Sequence, residues 1–311
     1  MTIHRGTFTV LITPFADGAR RINEERLRQL VEYQVEEGIH GLVPLGSTGE
    51  FLSLSDAERA EVARIVVDQA AGRVPVFVGT AAESTDDAIR YSREAEKLGA
   101  DGLMIIPPFY STPTEDELFE HFRRISDQVG IPIMLYNNPG SANVDVKPAL
   151  IARMAESTKV TYVKESTVDV RRIHQIKRLC GDRVQAFGGY MGFESFMVGA
   201  DGWVSVCANV IPGLSARMFD LWDRDRDYDG SRALFEKISP IIEALGAHWY
   251  VQGTKACFDL MGVDMGLARP PRSLLPAAVR EEFRQVLDGL GMLTGQPPAA
   301  FGPARRAAAA E

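Results

Sequence analysis

A lysine ends an apolar run in the segment VTYVKEST, which covers residues 160–167. A buried ammonium group without a partner is costly, so burial lowers the pKa of a lysine by up to several units. The resulting neutral amine is a nucleophile toward carbonyl groups and can form a Schiff base. Lys164 is therefore a candidate catalytic residue; the alternative is a lysine that reaches the rim or pairs with Glu165. Because successive side chains of a strand point to opposite faces, we expect Glu165 to point away from Lys164.

Two other segments carry groups that suit the same chemistry. Tyr136 ends the apolar run PIMLY, and its phenol can move a proton to or from a carbinolamine or a substrate carbon. A tyrosine hydrogen-bonded to the backbone is the alternative. The turn GSTGE combines the hydroxyls of Ser47 and Thr48 with glycines that let backbone N–H groups approach a carboxylate. An amine, a phenol and this turn together indicate carbonyl chemistry on a 2-oxo acid.

Eight short β-rich segments recur along the chain and place these groups at or near strand ends. We predict strands at residues 8–15, 41–46, 75–80, 102–107, 132–137, 160–166, 184–189 and 202–209. Amphipathic helical segments between them lie at 23–37, 55–71, 85–98, 114–129, 147–157 and 170–179. This alternation predicts a closed (β/α)8 TIM barrel, whose active site lies at the carboxyl ends of the strands. A doubly wound open sheet is less favoured, since no GxGxxG follows the first strand.

The alternation stops near residue 225. Helical periodicity follows at 231–245, 254–260 and 276–290, without a convincing strand. We therefore expect residues 1–225 to form the catalytic barrel and residues 226–296 a small C-terminal helical domain. The remainder, 297–311, is rich in Ala and Pro, and we expect it to be mobile.

Composition limits the classes of partner. The 311 residues include 34 Lys and Arg against 42 Asp and Glu, a formal charge of −8 that gives no reason to expect nucleic acid. The three cysteines, Cys180, Cys207 and Cys257, form no CxxC pair and suit a reducing compartment. The sequence lacks a signal peptide pattern and an apolar run of roughly 18 residues. We expect a cytoplasmic protein that binds neither nucleic acid nor membrane.

Two other kinds of barrel enzyme are possible. A metal-dependent aldolase needs His or carboxylate ligands at the barrel mouth, and none of the five histidines lies in a strand-end turn. We therefore expect no metal and no cofactor. A phosphate-using enzyme would bind phosphate at the loops after strands 7 and 8, residues 188–192 and 209–213. The bulky Tyr190 and Met191 in the first of these loops argue against that function.

The motifs GSTGE, PPFY, YNNP and VKEST, in this order and spacing, closely resemble the dihydrodipicolinate synthase / N-acetylneuraminate lyase family. The resemblance covers the chain from about residue 8 to residue 209, and the helical remainder fits the family's C-terminal domain. It implies that Lys164 forms a Schiff base with pyruvate or another 2-oxo acid. It also implies that Tyr136 relays protons through Thr48 to a tyrosine of a neighbouring subunit, which by position is Tyr110.

The resemblance further implies how the rest of the substrate is held. Ser47 and Thr48 would bind the carboxylate of the 2-oxo acid, and the carbonyl groups of Gly189 and Val204 would lie near the imine. Members of the family are commonly homotetramers built as dimers of dimers, and we expect the same of this chain.

One departure from the family pattern concerns the second substrate. Ser141 stands where dihydrodipicolinate synthases usually carry an arginine that binds a carboxylate. Losing such a charge-assisted contact costs roughly 1.5–3 kcal/mol. We therefore expect a lyase or aldolase that is not a true dihydrodipicolinate synthase. Ser141, Asn143 and Tyr190 indicate a substrate whose second half is neutral and hydroxylated.

Other reactions remain open. The same lysine imine serves dehydration of a 2-keto-3-deoxy sugar acid and deamination of a cyclic imino acid, because each uses the imine as an electron sink. An alternative of another class is a non-catalytic relative that only binds a 2-oxo acid.

Overall fold

The computed structural model describes residues 3–302, and a ring of eight parallel strands forms its centre. The strands are β1 Gly6–Val10, β2 Gly41–Val43, β3 Phe77–Gly79, β4 Gly102–Ile105, β5 Ile133–Asn137, β6 Val160–Glu165, β7 Gln185–Gly188 and β8 Gly202–Ser205. They pair in the order β2-β1-β8-β7-β6-β5-β4-β3. A parallel bridge between Leu42 and Val76 joins the two ends of this sheet. The predicted (β/α)8 TIM barrel is confirmed.

Helices follow the strands and cover the outside of the barrel. They are α1 Glu24–Glu36, α2 Asp56–Ala70, α3 Thr85–Lys97, α4 Glu115–Ser126, α5 Pro139–Ala142, α6 Pro148–Ser157, α7 Arg171–Cys180, α8 Phe193–Met197 and α9 Pro212–Asp223. A capping box starts α2: Ser55 accepts from the backbone N–H of Glu58, whose carboxylate accepts from the N–H of Ser55. The short helices α5 and α8 were not predicted from sequence. An antiparallel pair of two-residue strands, Phe15–Ala16 and Arg21–Ile22, lies between β1 and α1.

All eight strands are shorter in the structure than in the sequence interpretation, and the first and the last differ most at their carboxyl ends. The first ends at Val10 instead of residue 15, and the last ends at Ser205 and is followed by a 3-10 turn, Cys207–Asn209. The cause is the side chain of Asn209, whose amide donates to the carbonyl of Val10 and accepts from the N–H of Ile12. Asn209 thus takes the place of a neighbouring strand, and the apolar residues beyond Val10 become a buried loop.

Aromatic rings fill the barrel interior beneath the predicted catalytic lysine. Phe8, Phe77, Tyr162 and Phe187 are buried, and their ring centroids lie 5.0–6.1 Å apart. Tyr162 precedes Lys164 by two residues on β6 and therefore lies one layer below it on the same face. This layer closes the barrel from below, so a small molecule can enter only from the carboxyl ends of the strands.

Three further helices follow the barrel: α10 Tyr228–Gly246, α11 Tyr250–Leu260 and α12 Ala277–Gly289. The buried carboxylate of Glu50, the last residue of GSTGE, connects them to the strand ends. Its Oε1 lies 3.0 Å from Nζ of Lys255 on α11, and its Oε2 accepts from the backbone N–H of Arg269 at 2.8 Å. These contacts fix the C-terminal helices against the loop that carries Ser47 and Thr48.

Part of the predicted tail is described. Phe301 is buried, and its ring lies 5.5 Å from the rings of Tyr33 and Phe258. Residues 303–311 of that tail lie outside the described residues. Among residues 3–302, no helix combines the length and the apolar character needed to span a bilayer.

Candidate active site

The register between β5 and β6 brings Tyr136 beside Lys164. The two residues are direct partners in this parallel pair, and Nζ of Lys164 lies 4.0 Å from the centroid of the Tyr136 ring. Both side chains are nearly inaccessible, with 6% of Lys164 and 7% of Tyr136 exposed. The next pair in the register, Asn137 and Glu165, points to the opposite face of the sheet. One strand pair therefore supplies both the amine and the phenol.

Glu165 is occupied by contacts outside the barrel interior. Its carboxylate accepts from the amide of Asn137 at 3.1 Å and from the N–H of Thr167 at 2.8 Å, and Nε of Arg172 lies 3.6 Å away. The expectation that Glu165 points away from Lys164 is confirmed. The alternative that Lys164 forms an ion pair with Glu165 is therefore wrong.

The environment of Lys164 favours the neutral amine. Within residues 3–302, no carboxylate forms an ion pair with its Nζ, and desolvation by burial lowers the pKa of Lys164 from 10.5 to about 7. A large share of the side chain is therefore uncharged near neutral pH, whereas an ordinary lysine is almost wholly protonated there.

The phenol of Tyr136 has a polar neighbour of its own. The side-chain amide of Asn138 donates a hydrogen bond to Oη of Tyr136 at 2.9 Å. Burial raises the pKa of Tyr136, while hydrogen bonds from Asn138 and Ser166 act in the opposite direction. Hydrogen bonds to the phenol oxygen favour its ionised form, so they make proton release easier than burial alone would allow.

A cavity of about 370 Å³ opens above these two groups. It is lined by seven of the eight predicted site residues: Ser47, Thr48, Tyr136, Ser141, Lys164, Gly189 and Val204. The eighth, Tyr110, is 88% exposed and does not line this cavity. Asn143 does not line it either, because its amide donates to the carbonyl of Phe109 at 2.9 Å.

The loop that carries Tyr110 is held firmly by one carboxylate. Glu83 accepts hydrogen bonds from the backbone N–H groups of Phe109, Tyr110 and Ser111, at 2.9–3.0 Å. The hydrogen bonds outweigh partial burial, so the pKa of Glu83 falls to about 2. Tyr110 is thus an exposed aromatic side chain on a fixed backbone.

Several lining residues were missed in the sequence analysis. Asn138 and Ser166 lie within the motifs YNNP and VKEST, so the sequence did offer a signal for these two residues. Trp203 on β8 also lines the cavity, and its Nε1 donates to the carbonyl of Gly189 at 3.0 Å. Residues of the C-terminal helices also line the cavity: Ile242, Leu245, Gly246, Ala247, His248 and Tyr250. No local motif marks these last positions.

The cavity contains little charge. Of its described lining residues, Lys164 is the one lysine or arginine, and none is an aspartate or glutamate. Within residues 3–302, no group of three His, Cys, Asp or Glu side chains is arranged to hold a metal ion. The amine with a lowered pKa can condense with a keto group, and the phenol beside it can move protons at the product. Hydroxyl groups at the rim can bind the polar parts of such a substrate.

Comparison with known proteins agrees with this chemistry. The sequence model of the Dihydrodipicolinate synthetase family matches residues 4–289. A 4-hydroxy-tetrahydrodipicolinate synthase of Pelobacter propionicus is 37% identical over 291 residues, which is 93% of this chain and 99% of that protein. One from Thermodesulfovibrio yellowstonii is 34% identical over the same length and the same share of each chain.

Solved structures agree as well. The chloride-inhibited dihydrodipicolinate synthase from Acinetobacter baumannii, complexed with pyruvate, superposes with a TM-score of 0.89 at 30% identity. The match covers 93% of this chain and 100% of that one. By its sequence, its barrel and these relatives, the chain belongs to the dihydrodipicolinate synthetase family, whose members are lyases of the aldolase type.

Proposed function

We propose that this chain makes or breaks a carbon–carbon bond next to the carbonyl of pyruvate or a related 2-oxo acid, through a Schiff base on Lys164. The observation that carries the proposal is the amine itself. Lys164 is buried at the base of the cavity, has no carboxylate partner within the described residues, and lies 4.0 Å from the ring of Tyr136. A buried lysine without a partner lowers the stability of the fold. Imine formation is a function that requires such a neutral amine.

The reaction begins when the neutral amine of Lys164 attacks the keto carbon. The carbinolamine loses its hydroxyl as water after protonation, for which Tyr136 is the nearest acid. The protonated imine then withdraws electrons, so the carbon next to it can lose a proton to a base, or can release an aldehyde whose hydroxyl proton passes to that base. In either case the electron pair of the broken bond forms the enamine double bond. Condensation is the reverse of cleavage, with the enamine attacking an aldehyde.

The roles of the other residues follow from their positions in the cavity. Ser47 and Thr48 offer hydroxyls at the end of β2, where the carboxylate of the 2-oxo acid would bind. Gly189 and Val204 line the cavity near the ends of β7 and β8, and their carbonyls would lie near the imine. The Gly189 carbonyl already accepts from Trp203, and its second lone pair can accept from the substrate.

We also propose that Tyr110 acts in the cavity of a neighbouring subunit, in a homotetramer built as a dimer of dimers. The support is its exposure on a loop whose three N–H groups are fixed by Glu83.

We propose that the chain divides into a barrel of residues 1–225, a helical domain of residues 226–296 and a tail of residues 297–311. We also propose a cytoplasmic location. Three buried, unpaired cysteines suit that location.

The substrate proposal depends on Ser141. This residue lines the cavity where an arginine is expected in a dihydrodipicolinate synthase, and no arginine among the described residues lines the cavity instead. Tyr190 and Tyr250 add polar but uncharged phenols, and His248 adds an imidazole. We propose a second substrate, or leaving aldehyde, that is neutral and hydroxylated rather than aspartate semialdehyde. Identifying the reaction products distinguishes this aldol reaction from dehydration or deamination through the same imine.

Trapping of the imine tests the function. The protein is incubated with each of several 2-oxo acids and sodium borohydride, and the intact mass is measured. We expect an adduct that maps to Lys164 and disappears in Lys164→Ala, while a matched change of an exposed lysine, Lys237→Ala, leaves it unchanged. An unaltered mass across the whole panel would overturn the proposal. An adduct without turnover of any substrate would instead indicate a binding protein.

The substrate class has its own test. With pyruvate as donor, we expect hydroxylated aldehydes to be better acceptors than aspartate semialdehyde, and Ser141→Arg to shift this preference toward the semialdehyde by about 10-fold or more, the effect of a charge-assisted contact. The reverse ranking in the unmodified protein would refute the proposed class.

A further inference from the structure

We propose that Asn138 is a positioning residue that holds the hydroxyl of Tyr136 and enables it to transfer protons within its own subunit. The inference rests on the proposed function, because it assumes that Tyr136 acts on an imine at Lys164. It goes beyond that function by assigning a role to Asn138, the third position of YNNP, to which the resemblance to the family assigns none.

The geometry of the contact is specific. Asn138 follows β5 directly, is 5% exposed and lines the cavity. Its Nδ2 lies 2.9 Å from Oη of Tyr136, an ordinary length for a hydrogen bond. The two residues are separated by one position at the end of β5, so their side chains lie on the same face and the amide of Asn138 reaches the phenol oxygen of Tyr136.

The surroundings show why this contact matters in this chain. Within residues 3–302, no hydrogen bond joins Tyr136 to Thr48, the partner that the family resemblance implies; the contact from Asn138 is present instead. The hydroxyl of Ser166 also approaches Tyr136, and the amide of Asn138 approaches the phenol of Tyr190. Asn138 thus lies between two phenols at the cavity wall.

The chemical consequence concerns the proton on the carbon next to the imine. When that C–H bond breaks, its electron pair forms the enamine double bond, the imine π electrons move to nitrogen, and the proton passes to the oxygen of Tyr136. An N–H donor at that oxygen stabilises the phenolate form and keeps the oxygen directed at the substrate. Without the donor, the buried phenol would hold its proton more tightly, and its O–H group would no longer be oriented by Asn138.

The test separates imine formation from proton transfer. Incubation with pyruvate in D2O exchanges the methyl protons for deuterium when the enamine forms reversibly, and proton NMR follows the loss of the methyl signal. Borohydride trapping on the same samples reports the imine alone. The variants are Asn138→Leu, which removes the donor at similar volume, Tyr136→Phe, and the double variant. Tyr228→Phe, at the surface of α10, is the matched loss of a hydroxyl elsewhere.

We expect Asn138→Leu to slow exchange by about 10-fold while trapping stays within 2-fold, and to have no further effect in the Tyr136→Phe background. A residue that acts through Tyr136 gives this coupling, whereas a merely structural residue slows both backgrounds equally. Equal slowing in both backgrounds, or normal exchange in Asn138→Leu, would overturn the inference. So would trapping without exchange in the unmodified protein. Absence of trapping would instead contradict the proposed function.

Discussion

Replacing Lys164 by methionine should stabilise the fold at neutral pH, although it removes the proposed catalytic group. Burial lowers the pKa of Lys164 from 10.5 to about 7. The folded protein therefore binds fewer protons than the unfolded chain between these two values, and its stability rises with pH across that range. The destabilisation by Lys164 is full below pH 7, fades as pH rises, and is gone above the unfolded pKa.

The size of the effect follows from the two pKa values. Each tenfold difference in proton affinity between the folded and unfolded states corresponds to about 1.4 kcal/mol, so the lysine costs roughly 5 kcal/mol at pH 6 and roughly 2 kcal/mol at pH 9. These are upper limits, because methionine fills the space of the lysine stem without reproducing all of its contacts. We expect the stability gain of Lys164→Met over the unmodified protein to shrink by about 3 kcal/mol between these pH values.

Urea unfolding at pH 6, 7.5 and 9 measures the gain. Lys255→Met is the matched control, because Lys255 is equally buried but lies 3.0 Å from the carboxylate of Glu50. Removing Lys255 leaves a buried carboxylate short of a partner and should destabilise the protein at each pH. If Lys164→Met also destabilised the fold, or gave the same gain at pH 6 and pH 9, the reasoning about an unpaired amine would be wrong.

Three further predictions concern other parts of the chain. Gly189→Ala should reduce turnover at least 10-fold, since an added Cβ would lie 1.7 Å from Oγ of Ser166; unchanged kcat/KM would contradict the described packing. Glu83→Gln should loosen the Tyr110 loop, because it weakens three N–H contacts to one carboxylate, and faster amide hydrogen exchange at residues 109–111 is the readout; unchanged protection there would count against it. All three cysteines are buried, and burial raises the pKa of each thiol, that of Cys207 to about 11. Ellman's reagent should therefore titrate none of them at pH 8 until the protein is denatured. Rapid reaction of the native protein would show that the cysteines are accessible.

Sequence reasoning reached the fold and the positions of Lys164 and Tyr136 at neighbouring strand ends because both follow from local periodicity. Apolar runs on both faces indicate parallel strands, and the alternation of side chains along β6 separates Lys164 from Glu165 without any coordinates. The end of β1 was misplaced because the sequence stays largely apolar past Val10, although the side chain of Asn209, almost 200 positions later, bonds the carbonyl of Val10 and the N–H of Ile12. Periodicity cannot show a contact of that kind.

The cavity wall could be predicted only in part for the same reason. Tyr250 belongs to α11, and its place above Lys164 depends on how the C-terminal helices pack on the strand ends, to which the buried contact between Glu50 and Lys255 contributes. The bond from Asn138 to Tyr136 was within reach of the sequence, since only one residue separates the two in YNNP. Its direction, however, depends on the turn after β5, and that turn is fixed by tertiary contacts.

The central claim is that Lys164 carries a neutral amine near pH 7, and its rate of acylation tests this most directly. Short pulses of a small activated ester across pH 5–11, followed by peptide mass spectrometry, give the relative reactivity of Lys164 and of the exposed Lys237 in the same digest. We expect the rate at Lys164 to reach half its maximum near pH 7 and then level off. A rate that kept rising to about pH 10, as for an ordinary amine, would contradict the account.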